Sequence, residues 1–192
     1  MKAVMISIQP KWVEKIANGE KTIEVRKSAP KEVPFKCYIY ETQGQYVKFT
    51  HGAHTKYGYG RGKVIGEFIC DKVEMVNAKC SDYGIDLFYH DCLTNGCLTE
   101  REIEKYFNVP EDRDLRAMKG NGYVWNISDL KIYDKPKELS EFRKPCDRFL
   151  DCCTCRRLVR NEYMSCDNKI TRPPLSWCYV EDLGEEESVN LQ

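Results

Sequence analysis

The sequence predicts an α+β fold, a small β-barrel decorated by two or more helices. Three observations carry that reading. Short runs rich in β-branched and aromatic residues recur along the chain, only two segments have helical spacing, and the connections differ widely in length. A chain of 192 residues suits one main domain, and 31% charged against 42% apolar residues suits a folded one.

Residues 2–8 (Lys-Ala-Val-Met-Ile-Ser-Ile) read as a largely buried strand. Pro10 follows in the first turn of a helix, where its missing N–H costs nothing. Trp12, Val13, Ile16 and Ala17 continue that helix, and Gly19 closes it as a left-handed cap. Residues 21–27 then alternate polar and apolar, the period of a strand. Further strands are predicted at 36–41, 63–76, 123–133 and 177–181. Residues 43–62, thick with Gly, Tyr, His and Lys, read as a long exposed loop. A second helix is expected over 99–107, where Thr99 and Glu102 form a capping box ahead of Ile103, Tyr106 and Phe107.

These elements divide the chain into a barrel (residues 1–142), a Cys-rich irregular lobe with a closing strand (143–180) and an acidic, disordered tail (181–192). Residues 1–180 hold all 30 basic residues against 25 acidic ones, a balance of +5. That excess suits a phosphate-bearing partner but falls far short of a strong nonspecific DNA binder. The N-terminal apolar stretch is too short for a signal peptide and no run approaches a membrane span, so a cytoplasmic protein with no membrane partner is expected.

In the strand 21–27, Ile23 and Val25 point to one side while Thr22, Glu24 and Arg26 point to the other. A carboxylate and a guanidinium two residues apart can orient each other, leaving Arg26 donors for a phosphate or carbonyl and Glu24 oxygens for amino or hydroxyl protons. Lys21, at the helix-to-strand corner, adds a mobile positive charge. The competing reading is an exposed sheet face with an ordinary surface ion pair.

The run Gly19-Glu20-Lys21-Thr22-Ile23-Glu24-Val25-Arg26 resembles the Gly-x-Lys-x-x-Glu-x-Arg signature of the ASCH family, and Ser7-Ile8-Gln9-Pro10 resembles that family's start. Gly62-Lys63-Val64-Ile65-Gly66-Glu67-Phe68 and the run from Trp125 to Tyr133 are similar to its later barrel strands. Arg172-Pro173-Pro174-Leu175-Ser176-Trp177 resembles a C-terminal segment of its bacterial and phage-like branch. The resemblance implies a PUA-like barrel with a cleft beside the motif strand that takes RNA or a nucleotide through Lys21, Glu24 and Arg26. Tyr57, Tyr59 and Arg61, with Tyr46, Lys48, Lys56 and Lys63, would add stacking and basic groups from the 43–62 segment.

The family also suggests an alternative, a hydrolase of RNA or a modified nucleoside. Its small amidohydrolases use a Thr, a Lys and a Glu; Lys21 matches that Lys, Glu24 stands in the nucleophile's place, and Thr22 could substitute. A ribonucleolytic site would draw its base from Glu24 or Glu67 and its cation from Lys21 or Arg26. A protein-binding adaptor is the third reading.

Cys152 and Cys155 have the C-x-x-C spacing of a tetrahedral metal site, with Cys146 and Cys166 as the remaining ligands of one structural zinc. Free thiols are the equal alternative there. Arg148, Arg156, Arg157 and Arg160 make the same lobe basic. Cys37, Cys70, Cys80, Cys92 and Cys97 read as core or surface thiols, since nothing in the chain predicts export to an oxidising compartment.

Overall fold

The computed structural model describes residues 2–51, 54–110, 115–145 and 168–184. Its elements run β1 (Lys2–Ile8), α1 (Pro10–Ala17), β2 (Ile23–Arg26), β3 (Phe35–Glu41), β4 (Gly44–His51), β5 (His54–Gly60), β6 (Val64–Cys70) and β7 (Val73–Asn77). They continue with α2 (Asp82–Leu93), α3 (Glu100–Phe107), β8 (Asn121–Asn126), β9 (Ser128–Lys137) and β10 (Trp177–Val180).

A five-stranded sheet in the order β10-β1-β3-β6-β9 faces a three-stranded sheet in the order β2-β8-β7. Both faces of β1 and β3, in the middle of the larger sheet, are covered, which is why they read as near-continuous apolar runs. Val4, Ile6 and Ile8 point toward the second sheet and pack with Phe35, Ile39, Phe68 and Trp125, whereas Ala3 and Met5 point the other way onto Tyr38, Phe142 and Val180. The ring edge of Trp125 meets Phe35 with centroids 5.1 Å apart. The outer face of the smaller sheet buries Ile23, Val25 and Val124 against Ile85 and Phe88 of α2 and Ile103 and Phe107 of α3.

α1 starts at Pro10 and ends at Ala17, with Asn18 as its C-cap and Gly19 at φ +75° supplying the left-handed turn. The helix makes β1 and β3 a parallel pair, while β2 crosses to the other sheet. The predicted capping box of α3 forms: the Glu102 N–H donates to Thr99 Oγ1 at 3.3 Å and the Thr99 N–H donates to Glu102 Oε2 at 3.0 Å.

Three expectations change. Within residues 43–62, β4 and β5 pair as a hairpin where a loop is expected, resting on α1 where Tyr46 Oη donates to Glu14 Oε2 at 3.0 Å. The strands predicted at 63–76 and 123–133 each divide between the two sheets, at residues 71–72 and at Ile127, so one chain run serves both walls of the core. The predicted tail is anchored at its start, because Asp182 accepts from Tyr38 Oη at 2.6 Å and its carboxylate lies 3.0 Å from Lys36 Nζ, answering a lysine buried in β3. Residues 185–192 of that tail lie outside the described residues.

The stretch 146–167, with Cys146, Cys152, Cys155 and Cys166, also lies outside them, so the zinc expectation has no geometry here. Its flanks are adjacent, since the Lys144 N–H donates to the Asn168 carbonyl at 2.9 Å. Among the described residues, no helix is long and apolar enough to cross a membrane.

Candidate functional site

Antiparallel pairing of β2 with β8 sets Glu24 opposite Trp125 and Arg26 opposite Tyr123. Because Ile23 and Val25 are committed to the helices, the pleat turns Glu24 and Arg26 toward the space between the sheets. The polar face is therefore interior rather than a solvated surface, and Glu24 is only 7% exposed.

Lys21 is more enclosed still, at 3% exposure. Its Nζ donates to the Gly96 carbonyl at 2.8 Å, lies 3.4 Å from Glu24 Oε2 and sits 5.5 Å from the Trp12 ring centre. Gly96 belongs to the α2–α3 connection, which abuts this corner through the Thr22 N–H bond to the Asn95 carbonyl at 3.0 Å. The expected mobile charge is thus a pinned one, held by a carbonyl, a carboxylate and an indole. Thr22 itself is exposed and precedes the strand, so it does not share the inward face of Glu24.

Arg26 joins the two ends of the chain. Nη2 donates to the Ser7 carbonyl at 2.8 Å, Nη1 reaches Ser176 Oγ at 3.5 Å, and Nε lies 3.0 Å from Glu24 Oε1. Residues 172–177 cross over this place as a strap: Ser7 Oγ donates to the Pro174 carbonyl at 2.6 Å, the Ser7 N–H to the Ser176 carbonyl at 2.9 Å, and Trp177 Nε1 to Ser28 Oγ at 3.0 Å.

Three buried polar atoms here have no aligned hydrogen-bond partner among the described residues: Glu24 Oε2, Arg26 Nε and Trp125 Nε1. Two of them still make ion-pair contacts, Glu24 Oε2 with Lys21 Nζ at 3.4 Å and Arg26 Nε with Glu24 Oε1 at 3.0 Å, while Trp125 Nε1 has no such contact among the described residues. An unpartnered buried donor such as Trp125 Nε1 costs free energy on the order of 1–3 kcal/mol, and together the three atoms offer one acceptor and two donors. Aromatic rings border them. Trp177 stands edge-on to Trp125 at 5.8 Å, and Tyr106, whose hydroxyl pKa is raised by burial, feels the charges of Arg26 and Glu24.

The other predicted site residues lie elsewhere. Glu67 faces the opposite side of the five-stranded sheet, in register with Tyr38 and bonded to the Tyr133 hydroxyl, so it cannot serve as a base for Lys21 or Arg26. Tyr57 and Tyr59 project from the exposed face of the hairpin, whose other face carries Tyr46 onto α1. Arg61 and Lys48 are engaged by Glu41 and Glu14, and Lys63 by Glu138. Lys48 thus helps to hold the hairpin against α1.

Sequence reasoning missed Trp12, Tyr106, Trp125 and Ser176. Ser176 had a signal in the run from Arg172 to Trp177, but its pairing with a residue 150 positions away is not local information.

No protein-family profile and no curated protein matches the chain. Solved structures do. A crystal structure of an ASCH protein from Zymomonas mobilis is 17% identical, with 94% of this chain and 88% of that chain covered at a TM-score of 0.54. This chain has the ASCH fold. Two single-substitution variants of the same Zymomonas mobilis ASCH protein agree, a serine-to-alanine form at TM-score 0.54 and 17% identity and a tyrosine-to-phenylalanine form at 0.53 and 16%. Each covers 94% of this chain, with 89% and 91% of the respective neighbour covered. Within the ASCH fold, the α+β barrel-like body spans both sheets, and β2 with its inward polar face is one of its internal walls.

Proposed function

We propose that this chain binds single-stranded RNA or a nucleotide in the cleft beside β2, with Glu24 and Arg26 reading the edge of a base and Lys21 holding Glu24 in place. The observation that carries the reading is the convergence of Glu24 Oε2, Arg26 Nε and Trp125 Nε1, buried and unaligned with any described partner. A base edge presents alternating donors and acceptors, and the neighbouring rings of Trp177 and Tyr106 supply stacking surfaces. Arg26 is the residue with donors nearest the rim, through its contact with Ser176.

Binding is favoured over hydrolysis because the Lys21 ammonium is spent on Gly96 and Glu24 rather than set against a hydroxyl. Nor do the core thiols offer a nucleophile: burial pushes Cys70 and Cys92 up to about 12.

Titration of fluorescently labelled single-stranded RNAs against wild type, Arg26→Ala and Glu24→Gln tests this. Each variant should bind roughly ten-fold or more weakly, the value of one charge-assisted hydrogen bond, with no new RNA fragments in any sample. Equal affinity in all three proteins, with folding verified by circular dichroism, refutes the cleft.

A further inference from the structure

The five-stranded sheet has a second concave place on the side away from Arg26. β9 pairs with β6 as far as Ile132 opposite Gly66, and next at Lys137 opposite Val64. Residues 133–136 therefore arch outward against the single residue Ile65, with Pro136 inside the arch removing a ladder donor. The arch forms one wall of a pocket of about 710 Å³, and Leu183 and Gly184 form the facing wall. That volume is within the range of small-ligand sites.

The facing wall is tied down. Tyr38 Oη donates to Asp182 Oδ1 at 2.6 Å and accepts the Leu183 N–H at 3.0 Å, while Lys36 Nζ lies 3.0 Å from Asp182. Most acids around the pocket are also engaged: Glu67 accepts from the Tyr133 hydroxyl, and Glu141 accepts the Glu138 N–H at 2.6 Å. Asp134 is exposed between two lysines. Those lysines, Lys131 and Lys135, are exposed on the pocket lining and have no acidic partner among the described residues.

Apolar surface lies beside them. Leu183 is 41% exposed on the lining, and Lys137 Nζ stands 5.4 Å from the centre of the Tyr133 ring. A small inorganic anion would leave these apolar groups wet, and a purely apolar ligand would leave Lys131 and Lys135 without a direct ion-pair partner. A flat ring joined to a phosphate answers both.

We infer that the pocket between the β9 arch and the Asp182–Gly184 segment is a second ligand site, one that takes a nucleoside phosphate, its ring against Tyr133 and Leu183 and its phosphate at Lys131 and Lys135. The ligand is a free nucleotide or one unit of an RNA strand. The site does not depend on the β2 cleft, from which the sheet separates it.

The test follows backbone amide shifts of the full chain during titration with uridine and adenosine monophosphates, inorganic phosphate and a uridine hexanucleotide. Nucleotide should move the amides of residues 131–137 and 182–184 in wild type and in Arg26→Ala alike. A Lys131→Glu/Lys135→Glu form, altered only at exposed positions, should need at least ten-fold more nucleotide for the same shifts, and Leu183→Ser should weaken it further. Saturation at a lower concentration by the hexanucleotide assigns the site to an RNA strand, and equal saturation by the monophosphates assigns it to free nucleotide. The inference fails if these amides do not move, if the double variant titrates like wild type, or if inorganic phosphate matches the nucleotides. Shifts at β2 that are lost in Arg26→Ala report on the cleft separately, so either site can fail alone.

Discussion

Lys21→Met is the substitution that best separates a pinned structural cation from a mobile one. Methionine keeps the unbranched apolar stem against Trp12 but loses the bond to the Gly96 carbonyl and the charge beside Glu24. A hydrogen bond from a charged donor is worth about 1.5–3 kcal/mol, and breaking a buried ion pair costs roughly 3–5 kcal/mol. Arg26 stays 3.0 Å from the same carboxylate and offsets part of that loss. The expected destabilisation is therefore about 2–4 kcal/mol at neutral pH. At this chain length that lowers the melting temperature by roughly 5–15 °C.

Urea unfolding followed by tryptophan emission reads the change, since Trp125 is fully buried in the core. The Lys21→Met/Glu24→Gln double variant should lose less than the sum of its parts, with a coupling of about 0.5–3 kcal/mol. A loss under about 0.5 kcal/mol for Lys21→Met, or strict additivity in the cycle, would refute the reasoning.

Two further predictions concern the opposite face of the sheet. Burial disfavours the charged form of Asp182, yet hydrogen bonds from Tyr38, Lys36 and the Gly184 amide outweigh it and hold the carboxyl below its ordinary range. A folded-state pKa below the unfolded one adds stability above about pH 4 and loses it as the pH falls. The urea midpoint should thus drop more steeply between pH 5 and pH 3 in wild type than in Asp182→Asn, and parallel profiles would exclude the clasp. At Gly66 a Cβ would lie 2.5 Å from the Lys131 carbonyl oxygen, a backbone atom, so Gly66→Ala should force β6 and β9 apart at a cost of about 1–3 kcal/mol. Unaltered thermal unfolding of that variant would show that the strands do not approach so closely.

The sequence was readable where one element meets one period. β1, α1, β2 and α3 follow from an apolar run, a proline start, an alternation and a capping box, each complete within ten residues or so. α2 was missed because its apolar residues do not keep to one side: Ile85, Phe88 and Cys92 are buried, while Tyr83 and Leu87 are exposed on the same helix. The hairpin β4–β5 was read as loop because Gly58 and Gly60 interrupt its strand pattern. Yet a Cβ at Gly60 would lie 2.5 Å from the Pro10 ring and closer still to the Thr42 carbonyl, so close approach explains that glycine rather than loop freedom. For the site, the alternation at Glu24 and Arg26 was legible, but its inward direction was not. Which face of β2 meets the core depends on the apolar residues of β3, β6 and β8, and no local pattern carries that information.

The pairing of β10 with β1 bears on how the chain is made. Trp177 lies opposite Ile6, 171 positions earlier, so one flank of β1 stays open while the residues between them emerge from the ribosome. At ordinary translation speeds that interval is roughly 10–30 s. During it Arg26 can reach the Ser7 carbonyl but not Ser176. Delivery of β10 then closes that flank of β1 and brings Ser176 against Arg26 in one event.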